Sequence, residues 1–226
     1  NLKLFLIIII LSIFLNFNND FIIEILRFSF IDKNIYLGKF SFFFTILCLS
    51  LFINAFNMYD GINLQSGSYS LIFFIFFIFN SYSVYFSSIF IISTVLFMIK
   101  NFKSRSFLGD NGCYVLSFTI GIFIIDIYKL EKIYADQIFL LMMIPGIDML
   151  RLFIKRLILR KNPFSGDKNH LHHILLKKFN QTTVFQILFV IKVLIFFAVF
   201  FNINSIYIFV VALLIYLALF TKLNFS

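Results

Sequence analysis

Apolar residues run almost unbroken through eight stretches of the chain: Leu2–Leu15, Phe40–Phe56, Ser66–Phe79, Tyr82–Ile99, Cys113–Tyr128, Ile138–Leu150, Val184–Phe201 and Ile206–Phe220. Several are shorter than the ~20 residues that cross a bilayer, but polar ends can carry a helix beyond its apolar part. Ser66 to Ile99 as one helix would run about 51 Å, longer than a hydrocarbon core is thick. Asn80-Ser-Tyr-Ser83 is therefore read as a tight turn between two spans, and Asn202-Ile-Asn-Ser205 as the joint between the last two. The pattern predicts an all-α, polytopic integral membrane protein of about eight transmembrane helices. Residues 1–226 read as a single transmembrane unit with no soluble domain and no repeat.

Composition agrees. The chain is 62% hydrophobic and 13% charged, with a mean hydropathy of +1.01, which excludes a soluble domain. Phe numbers 37 and Trp is absent, a compositional bias rather than an aromatic platform. The net charge of +9 is largely a topology signal. Alternating the loops puts thirteen of the 19 Lys and Arg on one side. Arg27, Lys33, Lys39, Lys129 and Lys132 fall on the other, and Lys192 lies within a span. The richer side is read as cytoplasmic, and nucleic acid is not an expected partner. Cys48 and Cys113 sit in different settings, so no disulfide is expected. Asn16–Lys39 is expected to lie along the interface. The chain starts at Asn1, and no small-residue cleavage site follows Leu2–Leu15. It reads as beginning partway through a larger protein rather than with a signal peptide.

The unusual polar residues fall in three loops on the basic side. In Asn54-Ala-Phe-Asn-Met-Tyr-Asp-Gly-Ile-Asn63, residues Asn54, Asn57 and Asp60 recur every three positions, which puts them on one helix face, and Gly61 marks the helix end. A helix–helix hydrogen-bond seam and a plain exit into water compete with a site here. In Lys100–Gly112, Asp110 stands between glycines, which suits a hard-cation ligand near a phosphate. It equally suits a cap for the helix that follows. The third loop, Asp148 to about Gln181, carries Arg151, Lys155, Arg156, Arg160 and Lys161, then His170, Leu171, His172 and His173. Beside five basic residues the histidines suit an anion such as a diphosphate better than zinc. Snorkelling explains some of the basic residues but not clustered histidines.

Asn54-Ala-Phe-Asn-Met-x-Asp-Gly-Ile, Phe107-Leu-Gly-Asp-x-Gly and the Asp148…Arg156…Asn-Pro-Phe…Asp167…His170-x-His172-His173 run together resemble the bacterial polyprenyl-phosphate N-acetylhexosamine-1-phosphate transferases. The third motif is similar to the branch that uses UDP-N-acetylglucosamine and its relatives, and departs from the muramoyl-pentapeptide branch. The resemblance implies transfer of N-acetylhexosamine-1-phosphate from a UDP-sugar to polyprenyl phosphate with release of UMP, a first membrane step of cell-envelope polysaccharide synthesis. It implies a multi-pass protein of the bacterial inner membrane with a cytoplasmic site, Mg2+ (or Mn2+) as cofactor, and room for a homodimer. Asp110 matches the metal ligand, and Asp60 and Asn57 match residues of the catalytic cleft. Asn54, Arg156, His170, His172 and His173 match the substrate-binding positions, with Arg156 and His172 expected in a solvated loop. Asn63-Leu64 stands where a second Asp-Gly is usual, and Cys113 where Ser is common. The family's acidic pair would precede the helix resembling Leu2–Leu15, and none precedes Leu2.

A transporter would need polar residues near mid-membrane, and a zinc hydrolase would use the histidines as ligands. A non-catalytic relative of the transferases is a further reading. The loop assignment is tested by topology reporters. Tags after Gln65, at Ser104 and at Lys168 are expected on the cytoplasmic side and a tag at Lys132 on the other. Opposite sides for Ser104 and Lys168 would break the single-face site.

Overall fold

The structure, a computed structural model, describes residues 2–162 and 169–224. Ten helices follow one another along the described chain: α1 (Leu2–Phe17), α2 (Ser41–Tyr59), α3 (Gln65–Phe79), α4 (Val84–Phe102), α5 (Gly109–Lys129), α6 (Ala135–Leu141), α7 (Met143–Ile158), α8 (Leu171–Leu175), α9 (Gln181–Phe200) and α10 (Ser205–Asn224). Between α1 and α2 lies an antiparallel hairpin of β1 (Ile25–Phe28) and β2 (Ile31–Tyr36). The largely helical fold and its membrane character agree with the sequence reading.

The expected count of about eight spans is not confirmed. Among the described residues four segments are long and apolar enough to cross a membrane: Gly38–Tyr59, Val84–Phe102, Gly109–Lys129 and Gln181–Phe200. The bent pair α6–α7 makes five if it counts as one span. Helices Leu2–Phe17, Gln65–Phe79 and Ser205–Phe220 are apolar but short. At 15 residues, α3 rises about 22 Å, less than the ~30 Å hydrocarbon core.

Aromatic packing holds the centre. Phe56, Phe73, Phe74 and Phe77 are fully buried, and Phe74 stacks on Phe90 at 4.7 Å and 9° to zip α3 onto α4. The predicted turn at Asn80–Ser83 is present, with Ser81 and Ser83 at positive φ and Tyr82 N donating to Phe77 O at 2.9 Å. The joint before Ser205 is present as well, since α9 ends at Phe200 and α10 begins at Ser205.

The loops gather at two ends. At one, the hairpin is pinned to α5, where the Arg27 guanidinium lies over the Tyr128 ring at 4.8 Å and pairs with Glu131. There too Ser29 N donates to Asp136 at 2.8 Å and Gln137 to Asn202 at 2.9 Å. At the other end Lys3 pairs with Asp110, and Asn63 donates to Ser104 at 2.8 Å.

Proline sets the sharpest bend. Pro145 has no N–H, so the Leu141 carbonyl four residues back loses its helical donor and meets the proline ring instead. Helices α6 and α7 break between these residues, at 77°. Tyr69 OH from α3 donates to the Leu141 carbonyl. An orphaned backbone carbonyl in a water-free interior is costly. Tyr69→Phe should therefore lower unfolding stability by about 1–3 kcal/mol, read as a reduced melting temperature in detergent. An unchanged melting temperature would mean that the bend does not rely on Tyr69.

Candidate active site

The turn after α2 carries the first carboxylate. Tyr59 ends the helix and Asp60 follows in its cap position, its N–H on Asn57 O at 3.3 Å. Leu64 takes a left-handed conformation at φ 69°, which a branched side chain adopts only when its surroundings hold it. Asn101, buried at the end of α4, does so. Its Oδ1 accepts from Leu64 N at 2.6 Å, while its Nδ2 donates to Ser106 O at 2.7 Å. Ser66 Oγ, in the first turn of α3, donates to the Asp60 carboxylate.

The second carboxylate stands alongside. Helix α5 starts at Gly109, whose φ of +64° suits glycine, and Asp110 lies in its first turn. Leu108 occupies the cap position and no side chain caps the helix, so capping does not account for Asp110. Its carboxylate is half-exposed, pairs with Lys3 from α1, and has the Asn57 side chain beside it. The Lys3 pair is exposed and readily exchanged. Cys113, one turn further on, is fully buried with Asp60 and Asp110 both close to its thiol.

The histidine segment meets this turn from the opposite side. His172 is buried, and its Nε2 has no hydrogen-bond partner. That nitrogen sits where a Cβ on Gly61 would be, 1.8 Å from the ideal position. Gly61 is thus required for close approach. Burial, helped by the neighbouring His173 and His170, pushes the His172 pKa down to about 3. It is a neutral hydrogen-bonding group near pH 7 and carries no charge to an anion. The rings of His170 and His172 lie parallel at 5.6 Å, with His173 4.2 Å from His172. Beneath them the buried Asp148 carboxylate receives His170 Nδ1 at 2.8 Å, Leu171 N at 3.1 Å, Arg151 at 2.8 Å and Tyr216 OH at 3.0 Å.

Two expectations are corrected here. Arg156 and His172 do not lie in a solvated loop. Arg156 is a buried residue on α7, 5% exposed, and His172 belongs to the short helix α8, 2% exposed. The third loop therefore begins only after Ile158, because Leu152 and Arg156 pack inward on the amphipathic α7. Asp167 lies outside the described residues. Asp60, Asn57 and Asp110 come together, and His172 faces them across Gly61. Asn54 stands apart, its amide directed at the sulfurs of Met58 and Met149 at 3.6 and 3.5 Å. Sequence reasoning missed Ser66, Asn101 and Tyr216. The first two follow or end apolar runs and could have been suspected, but nothing local marks Tyr216.

Asp60, Asp110 and Asn57 offer oxygen donors only, a set that suits a hard divalent cation such as magnesium. Among the described residues no three His, Cys, Asp or Glu side chains converge as a metal cluster, so water and phosphate would complete any coordination. His170 Nδ1 is held by Asp148, and His172 Nε2 is packed on Gly61. Below Asn54 opens an apolar groove of about 490 Å³ lined by Phe44, Leu51, Ala55, Ile124, Phe139 and Met149 among others.

Comparison with known proteins follows this geometry. The family model described as glycosyl transferase family 4 matches residues 1–128. Proteins named undecaprenyl-phosphate alpha-N-acetylglucosaminyl 1-phosphate transferase from Salmonella typhi and Escherichia coli (strain K12) are each 28% identical over 154 residues, 62% of this chain and 42% of theirs. The protein of that name from Thermotoga maritima is 28% identical over 153 residues, 65% of this chain and 46% of its own. The chain thus spans less than half the length of the curated relatives it matches.

The contact at Gly61 yields a direct test. Gly61→Ala should cost about 1–3 kcal/mol of stability through overpacking, and adding His172→Ala should recover most of it. If the double variant melts no higher than Gly61→Ala alone, the two residues are not in contact.

Proposed function

The chain belongs to glycosyl transferase family 4, and from that membership we propose that it transfers an N-acetylhexosamine-1-phosphate from a UDP-sugar to polyprenyl phosphate, releasing UMP. The observation that carries this reading is the meeting of Asp60, Asn57 and Asp110 with the histidine segment at one end of the bundle, with an apolar groove lined by Ala55 of α2 and Met149 of α7 on the same helices. The basic residues concentrated in the loops of that end favour its placement at the cytoplasmic face of a bacterial inner membrane.

The chemistry asks for this layout. The oxygen of a lipid phosphate attacks the β-phosphorus of the UDP-sugar, and UMP leaves as the new diphosphate bridge forms. Both reactants are anions, so catalysis rests on positioning and on offsetting repulsion. The groove beside α2, α5, α6 and α7 is wide and apolar enough to take a prenyl chain, and Asn54 stands at its upper end against Met149. Asp60, held by Ser66, orients the phosphate rather than deprotonating it, because a phosphate monoester is already largely ionised near neutral pH. Asp110 with Asn57 would hold magnesium, which when bound neutralises phosphate charge and aligns the two reactants. Lys3 adds a cation that can turn from Asp110 to a phosphate. The nucleotide-sugar diphosphate is assigned to the histidine segment and the basic residues of α7. His172 contributes a neutral hydrogen bond there and Arg156 the charge.

The test is UMP release from UDP-N-acetylglucosamine by the protein supplied with polyprenyl phosphate, with and without magnesium. Magnesium-dependent release that needs the lipid supports the reading, and release without the lipid overturns it. His172→Gln should weaken UDP-sugar binding about two- to tenfold, the size of a neutral hydrogen bond. Unchanged affinity by calorimetry would move the diphosphate elsewhere.

A further inference from the structure

Tyr216 lies on α10, beyond the matched family region and outside every motif, yet it reaches the base of the histidine segment. Its ring is buried in a small core with Ile62 of the catalytic turn, Leu171 and Leu175 of α8, and Val184 and Leu188 of α9. Its hydroxyl accepts from Arg151 Nε at 2.8 Å and donates to Asp148 Oδ1 at 3.0 Å. Arg151 Nη2 donates to the same Oδ1 at 2.8 Å and to Asn169 O at 2.6 Å. Oδ2 of Asp148 is left to His170 Nδ1 at 2.8 Å.

This division of the carboxylate has a physical cause. A guanidinium beside a carboxylate prefers the two-pronged pairing in which two N–H groups take both oxygens. Arg151 meets the carboxylate through Nη2 alone, with its Nε–H on the Tyr216 hydroxyl and its Nη1 without a partner. Without that hydroxyl, Nε–H is free to turn onto Oδ2 and compete with His170. His170 stacks on His172, and His172 abuts Gly61, so a displaced His170 disturbs the surface that faces the catalytic turn.

We propose that Tyr216 is a positioning residue for the nucleotide-sugar half of the site: it keeps Arg151 off Asp148 Oδ2 and so holds His170 and His172 against the Asp60–Gly61 turn. The inference rests on the function proposed above. It makes α10 a working part of the site and gives Asp148 the task of orienting the histidine segment.

Tyr216→Phe removes the hydroxyl and keeps the buried ring. KM for UDP-N-acetylglucosamine should rise about tenfold with KM for polyprenyl phosphate unchanged, while the melting temperature falls as one buried hydrogen-bonding group is lost. In a His170→Gln background the same change should add little, since both act on one contact. Unchanged KM for the sugar nucleotide overturns the proposal. So does a parallel rise in both KM values, which would mark a purely structural residue. Full additivity with His170→Gln overturns the route through His170. If the wild-type protein binds UDP-N-acetylglucosamine without releasing UMP, the transferase reading fails while the tenfold change is still read in Kd. A wild type that does not bind it sinks both.

Discussion

A chain buried in lipid must satisfy its backbone from within, and Pro145 breaks that rule at one carbonyl. Tyr69 meets the resulting need at Leu141, and the 77° turn that follows decides where α7 points. Asp148 and Arg151 ride on α7, so the bend fixes where the histidine segment is anchored. The segment then descends onto the turn after α2. In a straight α6–α7 helix, Asp148 would sit one turn further along the same axis, with no reason to meet α8 or α10. One missing N–H therefore aims the part of the molecule on which the site depends.

The site manages its carboxylates one at a time. Asp60 has a hydroxyl, Asp110 an exposed lysine, and Asp148 four donors in a buried setting. The exposure follows the task. A fully satisfied, buried Asp148 is suited to holding other side chains still, since breaking any one of its bonds leaves a charge without compensation. A half-exposed Asp110 whose partner is a flexible lysine gives up that partner at little cost and is suited to a changing ligand. Of the histidines, His172 is kept neutral by burial and supplies shape and hydrogen bonding rather than charge.

Much of this was legible from the apolar pattern. The runs around Phe74 and Phe90 and the polar break at Asn80–Ser83 foretell the α3–α4 hairpin, because a polar tetrapeptide between two long apolar runs has few other homes. Asp60 and Asp110 are legible because a lone carboxylate beside glycine at the end of an apolar run is chemically conspicuous. The span count was not legible, since it depends on where helices start and stop rather than on where apolar residues lie, and α3 runs only from Gln65 to Phe79. The hairpin at Ile25–Tyr36 was missed because its stability comes from Arg27 on Tyr128 and from Ser29 on Asp136, about a hundred residues away. Burial of Arg156 was missed for a similar reason: a basic residue in a basic run looks solvated until α7 is seen to turn its face inward.

The groove below Asn54 has rim residues, Leu51, Phe139 and Leu150, that are exposed on the outer surface of the helices. Whatever enters there is drawn sideways from the surrounding acyl chains and never crosses bulk water. Its occupancy is then governed by mole fraction in the leaflet, a two-dimensional quantity. Diluting the aqueous phase leaves it unchanged, whereas adding inert lipid lowers it. Under the proposed function the two halves of the site thus sample different solvents. One saturates with molarity, the other with surface density.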